Sequence, residues 1–158
     1  MKNNIFIHKT SEVSTNASIG KNSKIWHFSH IRENVTIGDN VSIGQNVYID
    51  RGVKIGNNCK IQNNVSIYNG VIIGNNVFVG PSVVFTNDIY PEVENWGDDK
   101  IIKTKICDGV SIGANSTILC GITLFDNCLI GAGSVVTKNI PKNIIAFGNP
   151  ATEVRNRN

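Results

Sequence analysis

Residues 31–49 read Ile31-Arg-Glu-Asn-Val-Thr-Ile37-Gly-Asp-Asn-Val-Ser-Ile43-Gly-Gln-Asn-Val-Tyr-Ile49, with isoleucine at every sixth position. The same spacing continues without a break on both sides. The guide residues of this first run are Ile7, Val13, Ile19, Ile25, Ile31, Ile37, Ile43, Ile49, Ile55, Ile61, Ile67, Ile73, Val79 and Phe85. Strands have a period of two and helices one of about 3.6, so a period of six indicates neither element alone.

Two further columns share this period. Four residues after each guide stands a smaller residue, such as Val35, Val41 or Cys59, which on an extended strand faces the same side as the guide. Three residues after nearly every guide stands Asn or Gly, the residues that enter the left-handed backbone region at least cost. These corner residues are Asn16, Asn22, Asn34, Asn40, Asn46, Gly52, Asn58, Asn64, Gly70 and Asn76. Each hexad therefore predicts a short strand followed by a corner.

A strand and a corner in every hexad predict an all-β fold, a parallel β-helix in which short strands wind into stacked coils. With three hexads per coil, residues 18 positions apart lie one above another, and the guides form one axial core. The pattern does not determine the handedness. The length of 158 residues predicts a single domain, 1–158.

The period stops after Phe85, since a guide is due at position 91 and the next occurs at Ile106. We interpret 86–105 as one projecting loop, an arm able to reach a neighbouring subunit. The hexads resume over 106–140, with corners at Gly109, Asn115, Gly121, Asn127, Gly133 and Asn139. Residues 141–158 are predicted to cap the last coil, with a helical turn starting at Pro150. At the other end, the lead-in from Met1 to Phe6 is expected to cover the first coil.

Composition narrows the function classes. The formal net charge is +3 and no run of Lys or Arg occurs, so nucleic acid is not expected as a partner. No stretch reads as a signal peptide or a membrane span, which predicts a soluble, cytoplasmic protein without a membrane partner. The four cysteines have neither metal-type nor disulfide-type spacing, and Cys59 and Cys128 fall in the small inward column.

Two corners break the Asn/Gly rule, Phe28 and Ser82, which lie three coils apart on one edge. The hexad Ile25-Trp-His-Phe-Ser-His30 places aromatic rings and histidines on the outside of its coil. One interpretation is a patch packed against the N-terminus or another subunit. The other is one wall of a ligand site at a subunit boundary.

The chain resembles the left-handed β-helix acyltransferases of the hexapeptide-repeat family. The resemblance rests on the hexads, on the segment Ile130-Gly-Ala-Gly-Ser-Val-Val-Thr-Lys138 and on Phe147-Gly-Asn-Pro-Ala151. More narrowly, Lys24-Ile-Trp-His-Phe-Ser-His-Ile31, Lys60-Ile-Gln-Asn-Asn-Val-Ser-Ile-Tyr68 and Val77-Phe-Val-Gly-Pro-Ser-Val-Val-Phe-Thr-Asn-Asp88 are similar to sugar-nucleotide N-acetyltransferases. That resemblance implies a left-handed helix, a homotrimer with sites between subunits, and transfer from acetyl-CoA to the 3-amino group of a dTDP-linked 3-amino-3,6-dideoxyhexose for surface polysaccharide biosynthesis. A UDP-linked 3-amino uronate, or another acceptor of O- or N-acylation, is the alternative.

Asn87 and Asp88 are the candidate catalytic residues. Both stand where the arm leaves the coil, and in the resembling enzymes this Asn meets the sugar amine. Asp88 could hold the amine or accept its proton. The other interpretation of this pair is that it only forms the turn that opens the arm.

The candidate substrate-binding residues are Asn69, Arg51, His27 and Tyr90. Asn69 and Arg51 lie one and two coils below Asn87. Related dideoxysugar enzymes commonly carry a carboxylate where this chain has Asn69, and they tend to have Arg where it has Glu92. Without that carboxylate, either the amine loses its proton to the departing thiolate or the substrate differs.

For acetyl-CoA, Ala114 and Ala132 stand at equivalent corners and leave room for the pantetheine arm. The candidate cofactor-binding residues are Ala114, Ala132, Gly133, Lys138, Gly148, Pro150 and Arg155. Lys138 and Arg155, together with Lys142 and Arg157, are cations that could meet the phosphates of CoA. They could equally be solubilising charges on a cap.

The sequence leaves two other functional classes open, namely histidine-dependent enzymes on this fold and a non-catalytic β-solenoid. Some enzymes on this fold bind zinc through three histidines, and others use histidine as a general base. His8, His27 and His30 all lie in the first coils, far from the arm, so neither zinc nor another metal is expected. A non-catalytic β-solenoid would show flat rows of Thr and no inserted arm.

Overall fold

Every hexad forms a short strand that ends at its guide residue, which confirms the strand-and-corner prediction. The computed structural model describes residues 4–94 and 96–157. The strands are β1 (Phe6–Ile7), β2 (Glu12–Val13), β3 (Ser18–Ile19), β4 (Lys24–Ile25), β5 (His30–Ile31), β6 (Thr36–Ile37), β7 (Ser42–Ile43), β8 (Tyr48–Ile49), β9 (Lys54–Ile55), β10 (Lys60–Ile61), β11 (Ser66–Ile67), β12 (Val71–Ile73), β13 (Phe78–Val79), β14 (Val84–Phe85), β15 (Thr104–Ile106), β16 (Ser111–Ile112), β17 (Thr117–Ile118), β18 (Thr123–Leu124), β19 (Leu129–Ile130), β20 (Val135–Val136), β21 (Ile144–Gly148) and β22 (Ala151–Asn156).

The strands build three sheets along a parallel β-helix. Face A has the order β1-β4-β7-β10-β13-β16-β19-β21-β22, face B has β2-β5-β8-β11-β14-β17-β20, and face C has β18-β15-β12-β9-β6-β3. Each coil takes one strand from each face, so β1 to β3 form coil 1 and β13 to β15 form coil 5. Within the first run, stacked partners are 18 residues apart, as Ile7 over Ile25 shows.

The guide and partner columns fill one continuous core. Ile25, Ile31, Val35 and Cys59 are among its fully buried members. Since neighbouring coils cover one another, each interior coil depends on the coils above and below for its burial. The first coil has a neighbour on one side only among the described residues, and Ile7 is exposed accordingly.

The corners follow the predicted backbone, with instructive exceptions. Nine of the predicted Asn corners have φ between 55° and 60°. Phe28 and Ser82 have φ of 56° and 59°, so the coil imposes the left-handed conformation even without Asn or Gly. Asn16 and Asn139 are absent from this group, which corrects the prediction at those two corners. Asn139 instead accepts a hydrogen bond from the backbone N–H of Thr123 at 2.7 Å.

Side chains tie the corner between faces C and A along the column. The amide of Asn22 donates to Asn40 at 3.2 Å, and the same contact recurs one coil higher between Asn40 and Asn58. A second ladder runs through Asp39 and Asn57, whose side-chain oxygens accept backbone N–H groups of the coil below. These ladders satisfy backbone donors that the corners leave without a strand partner.

The C-terminal cap is a β-hairpin. β21 adds to face A beside β19, and β22 pairs antiparallel with β21. The helical turn predicted at Pro150 is therefore wrong, because Ala151–Asn156 is held extended by its partner strand. Of the predicted lead-in, Met1 to Asn3 lie outside the described residues. Among those described, no helix is both long and apolar enough to cross a membrane.

Candidate functional site

The arm leaves the column between faces B and C in coil 5. β15 starts at Thr104, so the arm covers 86–103 rather than the predicted 86–105. Its stem is closed by a hydrogen bond from the N–H of Ile102 to the carbonyl of Asn87 at 2.9 Å. Asn87 thereby stands on a fixed base, while the residues beyond it project from the coil.

Glycine marks where the arm crosses the column. A Cβ on Gly70 would lie 2.7 Å from Ile101, and one on Gly121 would lie 3.1 Å from Ile102. Both glycines also have positive φ, at 94° and 83°. The B–C corner uses Gly at these two coils because the returning limb of the arm passes directly over them.

The two carboxylate oxygens of Asp88 have different surroundings. Oδ1 accepts a hydrogen bond from the N–H of Tyr90 at 2.8 Å, which is the turn-forming role that the sequence left open. Oδ2 is buried and has no hydrogen-bond partner among the described residues. A carboxylate oxygen in that position is available to accept a proton or hold an ammonium group.

A cavity of about 500 Å³ opens between the two limbs of the arm. It is lined by Asp88, Ile89, Tyr90, Glu92, Asp99, Lys100 and Ile102. Three of the lining side chains are acidic and one is basic, so the cavity favours a group that carries positive charge next to an apolar surface. The structure thus brings two predicted site residues, Asp88 and Tyr90, into one pocket.

Arg51 holds the arm down. Its guanidinium forms an ion pair with Asp98 of the arm, two coils below the point where the arm begins. The hydrogen bond and charge of Asp98 raise the pKa of Arg51. Arg51, predicted to contact substrate, therefore contacts the arm of its own chain. Asn69 lies in the coil between, where its N–H donates to Asp50 at 3.2 Å.

A polar column that the sequence prediction did not include lies beside Arg51. Asp50 accepts hydrogen bonds from the hydroxyl of Tyr48 at 3.2 Å and from the N–H of Arg51 at 2.8 Å. Arg32, one coil lower, pairs with Glu33 at 2.8 Å and reaches Asp50 at 3.4 Å. The 18-residue spacing of Arg32 and Asp50 is the signal that would have found them.

His27 lies elsewhere. It stands on the corner between faces A and B in coil 2, where its ring stacks on His8 with 3.5 Å between centroids. Face B separates this corner from Asn69 and Arg51. A single chain does not bring His27 together with the other predicted substrate-binding residues. Among the described residues, no group of three or more His, Cys, Asp or Glu side chains could hold a metal ion.

The candidate cofactor residues also divide between two corners. Ala114 and Ala132 are stacked on the A–B corner, where the N–H of Gly133 donates to the carbonyl of Ala114 at 2.8 Å. An almost wholly apolar groove of about 250 Å³ runs beside them along Phe78, Ser111, Ile112, Gly113, Leu129, Ile130, Gly131 and Ala132. A Cβ on Gly113 would lie 2.4 Å from the backbone of Ala132, so the groove wall is smooth by necessity.

The remaining cofactor candidates surround the hairpin. Gly148, with φ of 109°, donates its N–H to Ser134 at 3.2 Å, and Pro150 follows a cis peptide bond. Lys138 shares a cavity with β22 on the B–C side, and Arg155 lies exposed on β22 itself. Of the two further cations, Arg157 donates hydrogen bonds from its guanidinium to backbone carbonyls of its own chain.

Comparison with known proteins identifies the family. The family described as "Bacterial transferase hexapeptide (six repeats)" matches residues 3–51, 52–87 and 103–138, and a "Hexapeptide repeat of succinyl-transferase" matches 34–69. The chain belongs to the bacterial hexapeptide transferase family, which confirms the resemblance drawn from the hexads. The gap between the second and third matches falls on the arm.

Two individual proteins illustrate how similar this chain is to characterised acetyltransferases. A dTDP-3-amino-3,6-dideoxy-alpha-D-galactopyranose 3-N-acetyltransferase of Aneurinibacillus thermoaerophilus is 49% identical over 49 residues, which cover 31% of this chain and 26% of that protein. A galactoside acetyltransferase solved in complex with coenzyme A is 30% identical with a TM-score of 0.57, covering 76% of this chain and 66% of that one. The chain spans about a third or less of the curated relatives it matches.

One further structure shares the fold along nearly the whole chain. A mutant of AntD, an N-acyltransferase from Bacillus cereus in complex with dTDP and Coenzyme A, superposes with a TM-score of 0.60 at 22% identity. The match covers 98% of this chain and 82% of that one. At this identity the comparison establishes the common fold, including the coils that flank the arm.

Proposed function

We propose that this chain is an acetyl-CoA-dependent N-acetyltransferase that acts on the 3-amino group of a nucleotide-linked amino sugar, with a dTDP-3-amino-3,6-dideoxyhexose as the favoured acceptor, in surface polysaccharide biosynthesis. The observation that carries the proposal is the base of the arm. There Oδ2 of Asp88, buried and without a hydrogen-bond partner among the described residues, stands beside Asn87 at an acidic cavity. The relatives named as sugar acetyltransferases support the reaction class.

The chemistry follows from these groups. Acetyl-CoA supplies the acetyl group as a thioester: the amine nitrogen bonds to the carbonyl carbon, the C–S bond breaks, and the amine proton ends on Asp88 or on the departing thiolate. Tyr90 fixes one oxygen of Asp88 and leaves the other to face the amine. Asn87 orients the amine, and the hydrogen bond that closes the stem of the arm holds the backbone of Asn87 in place. The arm covers the reacting groups and excludes water.

The proposal includes an oligomer in which each site takes residues from two copies. Asn87 and Asp88 stand on the B–C corner, whereas Ala114, Ala132 and the apolar groove stand on the A–B corner, with face B between them. One chain cannot bring the groove to the reactive corner. Parallel packing of the B–C corner of one copy against the A–B corner of the next joins the two halves, and a closed ring of such heterologous contacts is compatible with a homotrimer.

The groove suits an extended aliphatic ligand such as pantetheine. Its glycines bring backbone, not side chains, to the surface, and Ala132 adds only a methyl group. We assign Lys138 and Arg155 to the phosphates of CoA. Substitution of either by Ala is then expected to weaken acetyl-CoA binding and to leave the amino-sugar KM unchanged.

The decisive experiment measures thiol release from acetyl-CoA against a panel of dTDP- and UDP-linked 3-amino sugars, with the corresponding 3-hydroxy sugars as matched controls. We expect turnover with the amino sugars and none with the 3-hydroxy sugars. Thiol release only with hydroxy acceptors would reject N-acetylation. Absence of thiol release with every acceptor would reject the proposed acetyltransferase activity.

A further inference from the structure

A cluster of aromatic rings covers the outside of coils 1 and 2. Phe6 and Trp26 have ring centroids 5.2 Å apart, and His8 and His27 stack beside them. Phe28 is 60% exposed at the corner. We call these five residues the first-coil patch. The proposed reaction does not use it, and it forms an apolar surface of the kind that marks contacts between proteins.

Phe28 is kept in this patch at a conformational cost. Its φ is 56°, in the left-handed region that a bulky residue rarely occupies. The equivalent corners one and two coils higher carry Asn46 and Asn64, which adopt the same φ at less cost. The N–H of Phe28 donates to the hydroxyl oxygen of Thr10 at 3.1 Å, which helps to fix this backbone. An exposed ring retained under strain indicates a contact that favours the ring.

The arm carries a complementary surface. Tyr90, Val93 and Trp96 are 79%, 99% and 56% exposed, so the outer part of the arm shows apolar groups to solvent. Glu92 and Glu94 lie between them, and both are exposed. The first-coil patch is flanked instead by the exposed cations Lys9 and Lys24. The two surfaces thus match in apolar character and are opposite in charge.

The Arg51–Asp98 ion pair directs the arm toward the coils that carry the first-coil patch. The arm starts in coil 5, and the Arg51–Asp98 ion pair draws it down to coil 3. From coil 3 to coil 2 the remaining rise is one strand spacing, ~4.8 Å. The first-coil patch of the same chain lies on the A–B corner, on the other side of face B from the arm. A second copy whose A–B corner meets this B–C corner, the arrangement on which the proposed function rests, presents its patch below the arm.

We propose that the arm of one copy docks through Tyr90, Val93 and Trp96 on the first-coil patch of a second copy. Docking joins the arm to the neighbour that completes the site, so the arm closes over substrate only when that neighbour is in place. Phe28 is then a positioning residue that acts through the arm and does not touch substrate.

The test is a cysteine cross-link between different chains. Val93→Cys and Phe28→Cys chains, carrying tags of different length, are co-expressed, purified together and oxidised. We expect a two-chain band that contains both tags on non-reducing electrophoresis. Thr36→Cys, exposed in coil 2 on face C, replaces Phe28→Cys in the matched control and is expected to give no such band. A mixed band no stronger than in this control overturns the docking.

The same sample separates this proposal from the proposed function. A multi-chain mass by light scattering with thiol release but no mixed band rejects the docking and leaves the acetyltransferase standing. A single-chain mass rejects both the docking and the shared site. In a second variant, Phe28→Asn, the left-handed corner keeps a favourable residue, so we expect an unchanged or higher Tm and a KM for the amino sugar raised ~3- to 10-fold. An unchanged KM in Phe28→Asn also overturns the proposal.

Discussion

At the scale of single residues, the two oxygens of Asp88 differ in role. Oδ1 accepts the hydrogen bond that forms the turn, and Oδ2 has no hydrogen-bond partner among the described residues. Substituting Asn keeps an oxygen that accepts from Tyr90 but removes the charge and the proton acceptor. Substituting Ala removes the turn as well. The pair of variants therefore separates the structural role of Asp88 from its chemical one.

We expect Asn87→Ala to lower kcat/KM by about 100-fold, because the amine loses the group that fixes its direction of attack. Asp88→Asn should cost less if the thiolate receives the proton, and Asp88→Ala should cost more than Asp88→Asn because the turn is lost. Steady-state kinetics with the best acceptor of the panel measures all three. His30→Asn serves as the control, and loss of turnover in it, with Asn87→Ala near wild type, would move the reactive corner to coil 2.

His8 is expected to make the stability of the first coil depend on pH. Its pKa lies below the ordinary value because partial burial disfavours the cation and because His27 and Lys9 add positive charge nearby. The folded state therefore favours neutral His8. Its contribution to stability is complete above the unfolded pKa of about 6.5 and is lost as the pH falls from there toward the folded pKa.

The expected outcome is weaker hydrogen-exchange protection of the β1 amides at pH 5.5 than at pH 7.5, after correction for intrinsic exchange rates. His8→Gln should remove most of this pH dependence, since Gln keeps a polar group without a titrating ring. Amides of β10 in coil 4 provide the internal reference. Equal pH dependence in wild type and His8→Gln would assign the effect to another group.

The sequence predicts corners well and their partners poorly. Ile25, Val35 and Asn40 follow a period, so their burial or backbone conformation can be read from position alone. The free oxygen of Asp88 and the Arg51–Asp98 pair involve an arm without any period, and its path depends on three-dimensional packing. Phe28 is a different kind of failure of sequence-based prediction. The pattern marks it as an exception, but its conformation is set by the neighbouring coils.

At the scale of elements, the side chain of Arg157 connects the C-terminal hairpin to the column. The guanidinium of Arg157 donates to the carbonyls of Gly109, Asn127 and Cys128 at 3.1–3.3 Å, and also to Ser111. These bonds connect the end of β22 to two coils below it. Several charged hydrogen bonds from one group are expected to make Arg157 a strong connection between the cap and the column.

Arg157→Ala is expected to lower the free energy of unfolding by about 2 kcal/mol, because carbonyls satisfied by a charged donor lose it. Urea denaturation measures the change. Arg155→Ala, two residues away on the exposed strand, is the matched control and should lie within about 0.5 kcal/mol of wild type. Equal losses in the two variants would show that the guanidinium contacts contribute nothing particular. This connection lies in the non-repeating tail, where the sequence pattern predicts no partner for it.

At the scale of the whole molecule, the proposed division of the site between two corners predicts that two different variants complement one another. Asn87→Ala disables the reactive corner of every copy, and Ala132→Trp fills the groove of every copy. In a mixed oligomer, an interface that takes its corner from the Ala132→Trp chain and its groove from the Asn87→Ala chain contains no substitution. Two inactive chains should therefore restore activity to one another.

We expect co-expression of the two variants to recover roughly a quarter of wild-type activity, the share of unsubstituted interfaces in random 1:1 assembly with heterologous contacts. Each variant expressed alone should stay inactive. The double variant co-expressed with wild type is the matched control, because it carries the same substitutions on one chain. Failure to complement, with both variants assembled to the wild-type mass, would place each complete site within one chain.

The fold at this scale is the part that sequence predicts best. The hexads specify strands, corners, stacking distance and core, because every coil solves the same packing problem. The hairpin was mispredicted because β22 depends on pairing with β21, which lies outside the repeat. The arrangement of copies depends on corner surfaces, and the hexad pattern says nothing about which corners meet.

The stem bond between Ile102 and Asn87 frees the arm from the period of the column. The hexads resume at Ile106 in a shifted phase, yet β15 stacks on β12 as if no residues intervened. Any segment whose two ends fit this stem would leave the coils undisturbed, whatever its length. In the proposed function the arm contacts the acceptor, so exchange of this one contiguous segment is expected to change acceptor preference while the column keeps its fold, much as an antibody framework accepts different loops.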